Sequence, residues 1–468
     1  MGFDERTLTS QEVNELYKLQ ESHFVDYKSK EISGDKLSKT VSAFANSSGG
    51  DIYLGIREDN NTKEKNWEGF GTIEDTNGFI QVISGQLITD NNYNICFLKH
   101  PVLESYVMQI TVFKTQSIVL STKRIPYVRK GAQNLPCDNP EKIKRLELDK
   151  GVSSFEDEII SNSKLDDIID SDVFNQFKDY VVPKVNGVNW LEKQRLVQNE
   201  KVTVAGLLLF SDEPQILLPK RSAIKIYRYK TSEEGDRDTL SEQPTTIEGD
   251  AYSQIYDAVK KTKEIIESMQ KLGSRFERIE YPDETLHEII TNAVLHRDYS
   301  ITTDIQIRIY DNRIEIESPG KLPGYVTTAN ILDAQSARNP RLVRLINKFP
   351  DAPNKDVGEG LNTAFEAMTK LRLKQPTIEE TEKSVKVIIK HERLASPEES
   401  VVRYLLDNEM IVNKIGRQIT GIKSENTMKR VFWRLRDAGI IRMINSGSAA
   451  AWVKTEDFLD KSKGILDK

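Results

Sequence analysis

Cysteine is nearly absent from this chain: Cys96 and Cys137 stand far apart and outside any CxxC spacing. That gives no support to a disulfide framework or a thiolate zinc site, and it fits a reducing compartment. Long apolar runs are missing too. None approaches the ~20 residues a helix needs to cross a bilayer, and the opening MGFDERTLTSQ is charged where a signal peptide has its apolar core. No membrane partner is expected, and the expected location is cytoplasmic. Repeats of fixed period and low-complexity tracts are lacking. So is an excess of basic charge: 66 Lys and Arg face 72 Asp and Glu, for a net charge of -6. That excludes a uniformly basic binder but leaves room for a local basic patch.

What remains is a globular composition on a long chain. With 468 residues, 38% of them hydrophobic and 29% charged, three or four compact units are expected. The pattern suggests an α/β (α+β) multidomain protein, divided at residues 1–150, a helical connector 151–200, 201–393, and 394–468.

In the first division, His23–Lys28 alternates as a short strand, placing Asp26 and Lys28 on one face. Asp35–Ser47 puts Leu37, Val41, Phe44 and Ala45 on one helical face. Gly49–Gly50 then turns the chain into an apolar strand, Asp51–Ile56. A carboxylate-x-Lys pair on a strand, with Glu21 nearby, can hold a divalent metal beside a phosphoryl group. The bland alternative is a solvated charge pair. Arg129 and Lys130 could meet phosphate, or form an ordinary rim. Residues 151–182 read as acidic helix, Val204–Phe210 and Ala223–Tyr229 as strands, Thr231–Asp250 as a loop, and Ala251–Leu272 as a long helix.

The densest chemistry lies in YPDETLHEIITNAVLHRD, residues 281–298. Leu286, Ile289, Ile290, Ala293 and Val294 define one buried helical face. Glu288, Asn292 and His296 follow at intervals of four and form a polar stripe beside it. An amide oxygen can ligate Mg²⁺, and a neighbouring carboxylate can deprotonate a water. The alternative is that all three merely pair inside a core. A zinc-protease reading of His287-Glu288 fails, because the second His of HExxH would fall on Thr291. A hairpin follows: Ile305, Ile307 and Ile309, a turn at Asp311-Asn312, then Ile314 and Ile316. Next come the loop Glu317–Pro323 and the glycines of Val357-Gly-Glu-Gly-Leu361, which open a helix where amides can approach phosphate.

At the C-terminus, helices are expected over Glu398–Asn408 and Lys414–Ile419, the latter followed by Gly421. A third, capped by Ser424, runs through ENTMKRVFWRLRDA to Gly439. Ile440–Ile444, a turn at Asn445–Ser448 and Ala449–Thr455 suggest a hairpin wing. Eight Lys or Arg stand between Lys414 and Arg442 against Glu425 and Asp437. Lys429, Arg430 and Arg434 could therefore face duplex DNA, with protein contacts as the alternative use.

Three family resemblances follow from these motifs. ES-x-x-VDYK, AFANSSGG, DIYLGIRED and Tyr127–Gly131 together resemble a Schlafen-type AlbA domain over about residues 10–145. The resemblance implies nucleic-acid binding, and by analogy with Schlafen nucleases it implies a carboxylate trio of Glu21, Asp26 and either Glu58 or Asp59. The order ExxxN, PGxLP, Arg338-Asn339-Pro340 and GxGL resembles a GHKL-type ATPase, in the divergent form found beside AlbA domains, over about residues 200–390. That implies Asn292 as Mg²⁺ ligand, Glu288 as water-activating base, and Gly358 and Gly360 at phosphate. Glu317 and Gly320 stand where the usual DxGxG adenine loop would be. The C-terminal unit resembles a winged helix-turn-helix.

Two functional readings result. The first is an ATP- and Mg²⁺-binding, nucleic-acid-binding regulator of transcription, acting on DNA as a homodimer or higher homo-oligomer. The second is an ATP-gated nuclease using Mg²⁺ or Mn²⁺ on RNA or DNA, with defence against phage as one use. Enzymatic turnover, as ATPase or nuclease, is left open by the sequence.

Overall fold

The computed structural model describes residues 3–59, 62, 64–87, 92–218, 222–271, 281–353, 360–371, 373–390, 397–420, 422, 424–444 and 451–466. The fold is mixed α/β. The chain forms two compact units, one of residues 1–371 with 375–391, the other of 372–374 with 392–468.

The first unit begins with a five-stranded sheet ordered Asp4–Thr7, Tyr93–Lys99, Tyr106–Val112, Gly50–Leu54 and Val25–Lys28. The two edge strands pair in parallel and the inner pairs are antiparallel. Helix Gly34–Ala45 seals one face by burying Leu37, Val41 and Phe44 against Ile52, Phe97 and Ile110. The short helix Ser10–Lys18 covers the other, setting Val13 and Leu16 on Tyr27, Tyr53 and Val107. The glycine pair is structural, as expected. Gly49 and Gly50 have φ of 79° and 152°, and a Cβ on Gly50 would stand 2.5 Å from the Phe24 carbonyl oxygen. The hairpin Tyr127–Lys130 and Gln133–Pro136 leads into helix Pro140–Lys150, capped by Asn139 and ended by left-handed Gly151.

Residues 151–182 depart from the expected continuous helix. They break into short turns at Phe155–Asp157 and Asp166–Ile169 before helix Asp172–Val181, started by the Ser171 cap. Val204–Phe210 is a helix, not the expected strand. Thr203 caps it by accepting from the Gly206 amide at 3.2 Å, and all seven residues are buried. Apolar on every side, the segment carries no periodicity to separate a buried helix from a buried strand.

A second sheet has six strands, ordered Thr245–Ile247, Ile224–Arg228, Ile305–Ile309, Arg313–Pro319, Ser384–Lys390 and Thr377–Glu380. Its first strand lies inside the stretch 231–250, expected as loop. Helices Ala251–Lys271 and Asp283–Leu295 pack on this sheet, and Gly360–Lys370 packs against the second of them. Ile307, Ile309, Ile314 and Ile316 supply the buried face.

The second unit holds helices Pro397–Asp407, Asn413–Thr420 and Glu425–Asp437 around Val401, Leu405, Met428, Phe432 and Leu435. Strands Ile441–Met443 and Ala451–Lys454 pair as expected, and Met410–Val412 adds a third on the far side of Ala451–Lys454. Helix Phe458–Leu466 follows. Gly421 and the turn Asn445–Ser448 lie outside the described residues.

Candidate functional site

Helix Asp283–Leu295 carries Glu288 and Asn292 toward a cavity of about 380 Å³, and His296, just past the helix end, borders the same space. That volume falls within the range of small-molecule sites. Apolar walls come from Ile289, Ile316, Leu322 and Val387, and a polar rim from Ser318, Gln335 and Asn362. Asn292 Nδ2 donates to Glu288 Oε1 at 2.8 Å. The amide nitrogen is thereby committed, and Oδ1 is the atom left for a cation. Burial raises the Glu288 carboxyl above the ordinary range, and the Asn292 hydrogen bond offsets part of that.

Gly360 opens helix Gly360–Lys370 against this carboxylate; a Cβ there would overlap Glu288. Gly320 also lines the cavity, at φ 107°, where a Cβ would stand 2.6 Å from the Asp298 Cβ. Gly358 lies outside the described residues. Glu317 sits apart from the cavity. It accepts from Arg308 Nη1 at 2.7 Å and Ser384 Oγ at 2.6 Å, so the position expected to read adenine instead holds neighbouring strands together.

His296 is unlike its two partners in the stripe. Burial, reinforced by the Arg338 charge, pushes its pKa down to about 4, so the ring is neutral at physiological pH. Among the described residues its Nδ1 has no hydrogen-bond partner, and the atom is closed off from solvent. Such a group ordinarily costs about 1–3 kcal/mol.

The cavity wall is held by side chains distant in sequence. Lys114, from the first sheet's side, donates to the carbonyls of Leu322 at 2.8 Å and Val326 at 2.9 Å. Arg338 donates to Lys321 O at 2.6 Å, Leu148 O at 3.0 Å and Asp298 Oδ2 at 3.3 Å. Arg145 reaches Ser300 Oγ at 3.0 Å and also pairs with Asp298. Burial pulls the Asp298 carboxyl upward, but Arg338 and Arg145 hold it below the ordinary range. Arg338 stood in a motif already singled out; Lys114 lacked any such signal.

At the N-terminal carboxylates the structure brings Glu21, Asp26 and Lys28 together. Asp26 is fully buried, with Lys28 Nζ at 2.5 Å and Arg129 Nη1 at 3.1 Å. Burial and the adjoining Asp26 carboxyl raise Glu21. Glu58 pairs with Lys65 at 3.6 Å, and Asp59 accepts from the Thr62 amide at 2.9 Å. Among the described residues no three His, Cys, Asp or Glu side chains are grouped to hold a metal. Glu21 and Asp26 adjoin, with Asp26 paired to Lys28 and Arg129, while Glu58 pairs with Lys65. Arg129 is corrected. Its side chain is buried and donates to Ser22 O, Val25 O, Asn134 and Asp26, which leaves it unable to meet a phosphate. Lys130 is exposed and pairs with Glu382 at 3.3 Å.

On helix Glu425–Asp437, Lys429 pairs with Glu425 at 2.8 Å and Arg434 with Glu398 at 3.1 Å. Arg430 makes no ion pair among the described residues, and the Trp433 ring beside it is 47% exposed. Among the described residues no helix is long and apolar enough to cross a membrane.

Two segments of the chain match known families. Residues 21–138 match the family described as Schlafen, AlbA_2, and residues 302–389 match that described as Putative ATP-dependent DNA helicase recG C-terminal. The two matches fit an AlbA-type protein with a divergent ATPase segment. No curated protein sequence matches the chain. Among solved structures, the DIP2311 protein from Corynebacterium diphtheriae aligns at 18% identity with a TM-score of 0.41, over 95% of this chain and 94% of that one.

Proposed function

Starting from a chain that joins an AlbA_2-type segment to a divergent ATPase segment, we propose an ATP-binding, nucleic-acid-binding protein that regulates transcription from DNA. The observation that carries the ATP reading is the convergence of Glu288, Asn292 and Gly360 on one cavity. The residues present suit Mg²⁺-ATP: a free amide oxygen on Asn292, a half-buried carboxylate on Glu288, and a glycine where backbone must come close. Mg²⁺ would neutralise phosphate charge when bound. Asn292 Oδ1 would hold the cation, and the opening amides of helix Gly360–Lys370 would face the phosphates. Glu288, with its raised proton affinity, would take the proton of an attacking water.

The second unit would supply DNA contacts through Arg430, with Lys429 and Arg434 behind it, in the manner of a winged helix-turn-helix. A homodimer would present two such helices to paired half-sites. The nuclease reading gains nothing comparable, since Asp26 is neutralised by Arg129 and Lys28.

Calorimetry of ATP with Mg²⁺ tests the central claim. The wild type is expected to bind, and Asn292→Ala to lose Mg²⁺-dependent affinity. Absence of binding to the wild type would refute the proposal.

A further inference from the structure

Residues 320–339 form one wall of the cavity, and they join strand Arg313–Pro319 to helix Pro340–Ile346 with no helix or strand of their own. Connections longer than about 15 residues without secondary structure are uncommon in compact domains, and they tend to be functional. This one brings Leu322, Pro323, Val326, Ile331, Leu332 and Ser336 to the cavity. Segments outside helices and sheets open locally at lower cost than core elements, so their order depends on what packs against them.

Lys114 packs against this wall from the far side. Its half-buried ammonium donates to the Leu322 and Val326 carbonyls and makes no ion pair among the described residues. The two carbonyls replace the water that burial removes. If the wall opened, the ammonium would lose both acceptors at once. Order in residues 320–339 and the placing of Lys114 are therefore coupled.

The backbone of Lys114 belongs to the AlbA-type segment, just beyond strand Tyr106–Val112. A Cβ on Gly49 would stand 2.7 Å from Val112 O and 3.3 Å from Lys114 N. Thr115 donates to Ala45 O from its amide at 3.0 Å and from its hydroxyl at 3.1 Å. The turn over residues 45–50 thus rests on residues 112–115. It also carries Ser48, whose hydroxyl meets His23 Nε2 at 3.2 Å. Arg338 crosses the same joint in the opposite direction, joining Lys321 O to Leu148 O.

We propose, on the nucleotide reading of the cavity, that a bound nucleotide orders residues 320–339 and through Lys114 tightens the 45–50 turn, so that this end of the AlbA-type sheet senses whether the cavity is filled. Such coupling runs through contiguous packed and hydrogen-bonded groups. It is also reciprocal: a ligand that holds the turn raises nucleotide affinity by the same factor.

Hydrogen exchange of the full chain, with and without saturating Mg²⁺-ATP, tests this. Peptides covering 320–339, 44–50 and 113–117 should each exchange about fivefold more slowly with nucleotide, the lower end of the usual coupling range. Strand Asp4–Thr7, at the other edge of the sheet, should change by less than about twofold. In Lys114→Met at saturating Mg²⁺-ATP, 320–339 should still be protected while 44–50 and 113–117 are not. Lys114→Arg, which keeps a charged donor, should restore that protection and guards against a misfolded methionine variant. The proposal is overturned by ATP binding that leaves 44–50 unchanged in the wild type, or by protection there that persists in Lys114→Met. Equal slowing at Asp4–Thr7 would overturn it as well, since that is the mark of global stabilisation by a ligand. Failure of the wild type to bind ATP by calorimetry refutes the nucleotide reading instead.

Discussion

Gly360 and Glu288 approach each other so closely that no side chain could stand on Gly360 without displacing the carboxylate. The displaced atoms are the far end of a flexible side chain, so the fold should tolerate the change. Gly360→Ala is expected to shift the melting temperature by only a few degrees. It should swing Glu288 off Asn292 and lower Mg²⁺-ATP affinity by about tenfold, the scale of one lost hydrogen bond. Equal ATP affinity in the variant and the wild type, measured by calorimetry, would show that the pair does not shape the site.

Arg129→Ala removes a buried cation from Asp26 and takes both side-chain donors from the Ser22 carbonyl. Breaking a buried pair from one side costs about 3–5 kcal/mol. Urea unfolding should report a loss on that scale, and the double variant Arg129→Met with Asp26→Leu should recover part of it. A loss below about 1 kcal/mol would mean the pair is no more than a surface ion pair.

These two cases mark what the sequence could reveal. The helix over residues 281–298, its polar stripe and the hairpin after it were legible, because period 3.6 and period 2 are both strong there and the turn residues fall where the chain reverses. The helix Val204–Phe210 was not, since an all-apolar run has no polar face. Arg129 was misjudged as surface because burial of a charged residue depends on partners distant in sequence: Ser22, Asp26 and Asn134 meet it only after folding. Glu317 failed for a similar reason. Strand pairing set it opposite Gln306 and near Arg308, where it points away from the cavity.

Lys150 should impose a pH dependence on stability. Its ammonium is buried among Ala45 O, Thr115 O and Thr115 Oγ1, and burial pushes its pKa from 10.5 down to about 7. Between those values the unfolded chain binds more protons than the folded one, so stability rises with pH across that window and is lost as pH falls through it. The full change is on the order of 5 kcal/mol. Melting curves from pH 7 to 10 should show the rise, and Lys150→Met should flatten it. The same slope in both proteins would assign the effect elsewhere.

Lys114 acts on the cavity from outside. Lys114→Met would leave the Leu322 and Val326 carbonyls unbound and loosen that wall. ATP affinity should fall about three- to tenfold, the scale of one or two lost hydrogen bonds, although Lys114 is not among the residues lining the cavity. Calorimetry with ATP checks this, and unchanged affinity would show the wall is held without it.

Arg430 offers a test of the DNA surface. Lys429 and Arg434 are each engaged by a carboxylate. Arg430→Ala should therefore lower the slope of log affinity against log salt by about 1, as for one lost phosphate contact. Lys429→Ala and Arg434→Ala should change it less. Fluorescence anisotropy across a salt series would decide, and three identical slopes would argue that this helix face meets no phosphate.

The ties from Lys114, Arg145 and Leu148 to the loop around residues 298–338 have a practical side. A fragment cut near residue 150 would strip the cavity wall of its donors and leave Arg338 without the Leu148 carbonyl. The AlbA-type and ATPase-type segments are therefore poor candidates for separate expression, and a chimera that exchanged either one would have to carry the matching half of this joint with it. Two sequence families meet in this chain, and the hydrogen bonds across their joint make one piece of them for cloning.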